Sequence, residues 1–82
     1  MKPLLVDVRE PEEFMAGSVK NAVSIPLDQV EIRLSEFKNQ HRIIVFCRSG
    51  IRAEKARQIL SEGGIKNIEN GGAWQKVGQQ FN

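Results

Sequence analysis

Cys47 has the most chemistry to offer in this sequence, and the residues after it decide which chemistry. It ends the run Arg42-Ile43-Ile44-Val45-Phe46-Cys47 and leads into Arg48-Ser49-Gly50-Ile51-Arg52-Ala53. The continuous apolar run reads as a buried strand, and a helix is expected from Ile51, so the residues between them form a strand-to-helix turn. In such a turn successive backbone N–H groups can converge on an anion. The first N–H groups of the helix lack partners, and the helix dipole adds partial positive charge. Gly50 permits the tight backbone path, and Arg48 and Arg52 add full charges. A thiol in that field is expected to titrate below the ~8.5 of a free cysteine. The result is a thiolate nucleophile in a cradle suited to an anion. The backbone groups of Arg48, Ser49, Gly50, Ile51 and Arg52 are the candidate donors. A free cysteine elsewhere is most often a buried small hydrophobe; packing alone does not require Arg-Ser-Gly-x-Arg directly after it.

The rest of the composition narrows the alternatives. A single cysteine excludes an internal disulfide, a CxxC redox pair and a cysteine-based zinc site, and His41 is the only histidine. No metal site is expected. The chain has 82 residues, so one domain spanning 1–82 is expected. A net charge of +2 without a basic tract gives no footprint for nucleic acid. No apolar stretch nears the ~20 residues of a membrane span. The apolar run Leu4-Leu5-Val6 is cut by Asp7, too early for the core of a signal peptide. The chain as it stands is expected to be cytoplasmic.

The elements that must position Cys47 read as follows. Leu4-Leu5-Val6-Asp7-Val8 is a short buried strand. Glu10-Pro11-Glu12-Glu13-Phe14-Met15 is a short helix with Pro and acids at its start, ended by Gly17. Ala22 to Pro26 is a second strand, near a sheet edge because Pro stops it. Asp28 is the expected N-cap of a helix to about Phe37, with Glu31 completing a capping box and Val30, Leu34 and Phe37 facing inward. After the strand that ends at Cys47, a helix runs from Ile51 to about Leu60, with Ala53, Ala56, Ile59 and Leu60 on its buried side. Ile65 to Glu69 is a further strand, Asn70-Gly71-Gly72 a turn, and Ala73-Trp74-Gln75-Lys76-Val77 the start of a last helix. Alternating strands and helices with short links predict an α/β fold: a mainly parallel sheet with helices on both faces. Such sheets bind ligands at the carboxyl ends of their strands, where Cys47 lies.

Cys47-x-x-Gly50-x-Arg52-Ala53 resembles the active-site loop of rhodanese domains. Asp7-Val8-Arg9 with Glu13-Phe14, Gly17, Ala22 and Ile25-Pro26 is similar to the family's amino-terminal motif, and Gly71-Gly72-Ala73-Trp74 to its carboxyl-terminal one. The three stand in family order from about Leu5 to Trp74. The resemblance implies a rhodanese-like three-layer fold and a sulfurtransferase of the thiosulfate type. Cys47 would take the outer sulfur from a small anionic donor (thiosulfate, a persulfide or a polysulfide) and hold it as a persulfide. A thiol or cyanide would accept it, a thioredoxin-like protein being one candidate. No cofactor is implied. The loop length agrees: four residues separate Cys47 from Arg52, whereas phosphatases of similar architecture use a longer, wider loop. The alternative within the family is a non-catalytic binding or sulfur-carrier module, and the intact loop argues against it.

Other residues carry narrower expectations. Asp7 and Arg9 are read first as a structural ion pair, with Arg9 reaching the donor as the lesser reading. Glu13 is a hydrogen-bond partner at a helix terminus. Trp74 is core or a wall of the pocket, Gly71 and Gly72 serve the backbone, and His41 lies on the surface. The chain departs from the family pattern at Gly17-Ser18-Val19, where the family has a histidine, and at Asn21-Ala22, where it has Gly-Ala. A local change in hydrogen bonding with unchanged chemistry is expected. Many family members carry a helix and a strand before the Asp-x-Arg motif, and only a few residues precede it here. A sheet edge left uncovered would favour a weak homodimer or a partner there.

Overall fold

The apolar run ending at Cys47 has no polar face, so it can sit only in the middle of a sheet covered on both sides. The computed structural model, which describes residues 1–81, places it there. Strand β3 (Ile43–Cys47) is buried along its whole length. It lies between β1 (Leu4–Asp7) and β4 (Ile68–Ala73), and β2 (Val23–Ser24) pairs with the outer side of β1. The order is β2-β1-β3-β4 and every pairing is parallel.

Alternation along β3 divides the core into two layers. Ile43, Val45 and Cys47 face helix α3 (Ile51–Glu62), packing with Ala53, Ala56, Leu60, Val30 and Phe37. Ile44 and Phe46 point the other way, toward Leu5, Val19 and Val77 of helix α4 (Trp74–Phe81). Helices therefore cover both faces of a parallel sheet, the α/β architecture expected from the sequence. The short helix α1 (Pro11–Ala16) buries no residue; its part is played at the strand ends.

Three elements differ from expectation. The helix expected from Asp28 to Phe37 is two pieces: α2 (Leu27–Val30) and a separate 3-10 turn, Leu34–Phe37. Pro26, with φ fixed at −56°, is the residue before the first helical position, so Asp28 falls inside the first turn rather than capping it. The inward residues are still the expected ones, since Val30 and Phe37 are buried and Leu34 packs against the same core. Second, β2 is only two residues long, at the sheet edge.

The third difference bears on the site. The last strand is not Ile65 to Glu69 but Ile68–Ala73, so Asn70, Gly71 and Gly72 lie inside it rather than in a turn. Val45 pairs with Asn70 and Cys47 with Ala73, so β4 carries one residue more than β3 over the same stretch: a β-bulge. Glycine is required there. A Cβ on Gly71 would lie 2.6 Å from Val77 Cγ2 and 2.8 Å from Ile44 Cγ2, and Gly72 has φ 81°. Gly71→Ala is accordingly expected to cost about 1–3 kcal/mol through overpacking, read as a lowered urea midpoint. An unchanged midpoint would mean that β4 relaxes freely.

Candidate functional site

Cys47 is the last residue of β3, and its side chain points to the layer containing α3. The chain then turns through Gly50, whose φ of 99° is left-handed, and enters α3 at Ile51. No side chain caps α3. The sulfur stands in that place: Cys47 Sγ accepts the N–H of Gly50 at 3.0 Å and that of Ala53, in the first turn of the helix, at 3.4 Å. The cysteine is 1% exposed.

Two influences on the thiol oppose each other. Burial raises its pKa, while the backbone N–H groups of Ala53, Ser49, Gly50 and Arg52 lower it; the donors prevail, and the thiol lies below its ordinary value. The sign follows directly. Protonated sulfur dominates below the shifted pKa, and thiolate is present from there upward. Alkylation by iodoacetamide should therefore reach its plateau at lower pH than for a cysteine in an unfolded peptide, whose midpoint is about 8.5. A midpoint at or above that value would contradict the cradle.

Of the expected donors, Gly50 hydrogen-bonds the sulfur and Ala53 joins it, while the N–H groups of Ser49 and Arg52 help to lower its pKa. Ala53 belongs to the motif, yet it reads as an apolar contact because alanine has no polar side chain. Its contribution comes entirely from the helix geometry. Ile51 is 68% exposed and forms part of the loop's outer surface.

The two loop arginines have different surroundings. Arg52, expected to offer its charge to a donor, is bound by Glu13 of α1, Nη1 to Oε1 at 2.7 Å and Nη2 to Oε2 at 3.1 Å. This bonding holds the Glu13 carboxyl down to about 2. Glu13 also accepts the N–H of Glu10, the helix-terminus role foreseen for it, at 3.0 Å. The link from Glu13 to Arg52 spans 39 positions and has no local signature. Arg48 is exposed and forms no ion pair among the described residues.

Arg48 lines a cleft of about 280 Å³ together with Arg9, Glu13, Ala16, Gly17, Trp74 and Gln75. Arg9 is buried and committed to Asp7, with Nη2 at 2.7 Å from Oδ2 and Nε at 3.0 Å from Oδ1. Its guanidinium also lies 4.9 Å from the centre of the Trp74 ring and donates to the Gly17 carbonyl at 2.7 Å. The Trp74 ring packs on the second core layer and lines the cleft. Ser18 donates its hydroxyl to Asp7 Oδ2 at 2.6 Å, and Asn21 adopts the left-handed φ of 68° that asparagine tolerates. Each departure from the family pattern thus has a local structural solution. A larger hollow, about 360 Å³ between Lys38–Gln40 and Gly63–Asn67, lies where the chain enters β3 and β4, at the opposite end of the sheet from Cys47. His41 is exposed.

The model of the rhodanese-like domain matches residues 1–76 of this chain. The chain belongs to that family. The rhodanese-like chain is 36% identical over 69 residues to YqhL of Bacillus subtilis, covering 84% of itself and 55% of that protein, so it spans little more than half of this relative. It is 35% identical over 75 residues to the thiosulfate sulfurtransferase PspE of Escherichia coli, covering 88% of itself and 71% of PspE. Its fold superposes on a rhodanese with anions from E. coli with a TM-score of 0.83 at 31% identity, over 92% of this chain and 91% of the other. No helix among the described residues is long and apolar enough to cross a membrane.

Proposed function

We propose that this rhodanese-like chain is a sulfurtransferase that carries sulfur as a persulfide on Cys47. The observation that supports it most is the sulfur of the sole cysteine lying against the Gly50 and Ala53 N–H groups at the start of α3. With thiosulfate as donor, the Cys47 thiolate attacks the outer sulfur. The S–S bond of thiosulfate breaks, sulfite leaves with the bonding pair, and Cys47 holds the outer sulfur as a persulfide anion. A thiolate or cyanide then attacks that sulfur, and Cys47 leaves as thiolate. Sulfite departs without a proton, so no general acid is needed. The outer sulfur bears negative charge throughout, which preorganised N–H donors stabilise as they would an oxyanion.

The donor in this reading is a small sulfur anion such as thiosulfate, drawn in by Arg48, the loop arginine that has no carboxylate partner among the described residues. A relative named as a thiosulfate sulfurtransferase supports that choice of donor. The acceptor is cyanide or a thiol, a thioredoxin-like protein among the candidates. A chain with one thiol and no disulfide suits the reducing cytoplasm, where we put it. The sheet edges at β2 and β4 leave room for weak self-association, and a strictly monomeric profile at high concentration would count against that part.

Initial-rate kinetics of thiocyanate formation test the proposal. Two half-reactions through one covalent intermediate give parallel double-reciprocal lines for thiosulfate and cyanide. Intersecting lines would show both substrates bound together and remove the persulfide from the cycle. Cysteine-dependent hydrolysis of an aryl phosphate would reassign the loop to phosphate chemistry.

A further inference from the structure

The bulge in β4 reaches the sulfur-binding loop through one side chain. Asn70, the last residue before the extra one, donates from Nδ2 to the Gly50 carbonyl at 2.9 Å and accepts the Gly72 N–H on Oδ1 at 2.9 Å. The second bond closes the side chain on its own backbone, as asparagine does in turns, and fixes which way the amide points. A further contact runs from Nδ2 to Glu54 Oε1 at 3.4 Å.

Gly50 is therefore held on both sides. Its N–H donates to Cys47 Sγ at 3.0 Å, and its carbonyl accepts Asn70 Nδ2 and, at 3.0 Å, the N–H of Glu54. Asn70 supplies the only side-chain hydrogen bond to Gly50 among the described residues apart from that of Cys47. Gly50 has no side chain, its neighbours Ser49 and Ile51 are exposed, and its φ of 99° is a conformation that glycine readily leaves. A Cβ on Gly50 would approach Gly72 Cα to 3.3 Å, so loop and bulge are already in contact.

We infer that Asn70 is a positioning residue for sulfur transfer: it clamps Gly50 so that the loop's N–H groups stay aimed at Cys47 Sγ. Its side chain makes no hydrogen bond to Cys47 Sγ and reaches the sulfur through the Gly50 peptide groups. The inference deepens the persulfide reading and rests on it for its effect on turnover. Its effect on the thiol stands apart from that reading.

Asn70→Ala separates the two. Asn70 is exposed, so the variant should fold, with a melting temperature lowered by only about 5–10 °C. The midpoint of its pH–alkylation profile should move to higher pH. The rate of sulfur loading from thiosulfate at neutral pH should fall roughly tenfold, the worth of one or two aligned hydrogen bonds. An unchanged midpoint and loading rate would overturn the inference, as would a lowered melting temperature with an unchanged midpoint, which marks a merely structural residue. Should Asn70→Ala fail to fold, Asn70→Asp keeps the acceptor for Gly72 and loses the donor to Gly50. Its midpoint must then stay raised in about 1 M salt, where the screening length is only ~3 Å and the added charge is damped; a shift that salt removes refutes the clamp. Wild-type protein that takes up no sulfur, but whose alkylation midpoint still depends on Asn70, would sink the persulfide reading and leave the clamp in place.

Discussion

Cys47→Ser is expected to lower sulfur transfer by at least about 10³-fold while leaving the fold intact. The loss follows from what the loop can ionise. Backbone N–H groups bring a thiol below its ordinary pKa, but a serine hydroxyl starts far too high for the same donors to yield an alkoxide at neutral pH. The chain has no second thiol to substitute. The fold should survive because a hydroxyl is smaller than a thiol and can accept the Gly50 and Ala53 N–H groups that the sulfur accepts now. A stability change within about 1 kcal/mol is expected. Sulfite release and thermal unfolding, measured on the same preparation, check both halves. Residual turnover within tenfold of wild type would move the sulfur carrier away from Cys47.

The largest effect on stability is expected at Asp7, not in the loop. Its carboxylate is wholly buried and accepts five hydrogen bonds: from the Arg9 backbone N–H and Nε on Oδ1, and from Arg9 Nε, Arg9 Nη2 and Ser18 Oγ on Oδ2. Asp7→Ala removes both carboxylate oxygens, leaves Arg9 only the Gly17 carbonyl as acceptor and strands a buried guanidinium without its counter-charge. Breaking one side of such a pair costs about 3–5 kcal/mol. Small domains have only about 5–15 kcal/mol in total, so the variant should melt far below the wild type. Equilibrium urea unfolding followed by circular dichroism measures it. A double variant, Asp7→Ala with Arg9→Met, should lose less than the single one, because the stranded charge is gone. If Asp7→Ala alone cost under 1 kcal/mol, water would be reaching Arg9 and the pair would not be the buried anchor described above.

This anchor explains why an ion pair belongs in the site at all. Asp7 ends β1, and Arg9 ties it to the Gly17 carbonyl and to the face of Trp74. The wall of the cleft beside the Cys47 loop is thereby assembled from β1, the segment after α1 and the start of α4. Glu13 performs the corresponding task from α1, bonding Arg52 and so joining that helix to the first turn of α3.

What the sequence reveals and conceals here has a physical pattern. The central strand and α3 are legible because their signals are local. A short, unbroken apolar run rich in β-branched residues reads as a buried strand, and Ala53, Ala56 and Leu60 recur at helical spacing. Cys47 is legible because glycine and arginine beside a strand end have a chemical meaning, and the Asp7–Arg9 pair because its members are two residues apart. The concealed features depend on partners distant in the chain. The β4 bulge is set by pairing with β3, and Asn70-Gly71-Gly72 by itself has the composition of a turn. The split of the expected helix between Asp28 and Phe37 depends on how Pro26 starts it and on how Leu34 packs against the core. Ala53 shows a further limit, since its part in the site is a backbone N–H that any residue type would supply.

The persulfide itself is the central claim, and intact mass spectrometry of the unlabelled chain observes it most directly. Protein incubated with thiosulfate should gain the mass of one sulfur atom, cyanide should remove it, and Cys47→Ser should show neither change. A chain that stays at its unmodified mass with thiosulfate and with polysulfide, while Cys47 remains reduced and open to alkylation, would contradict the account and leave a binding module on a rhodanese-like fold.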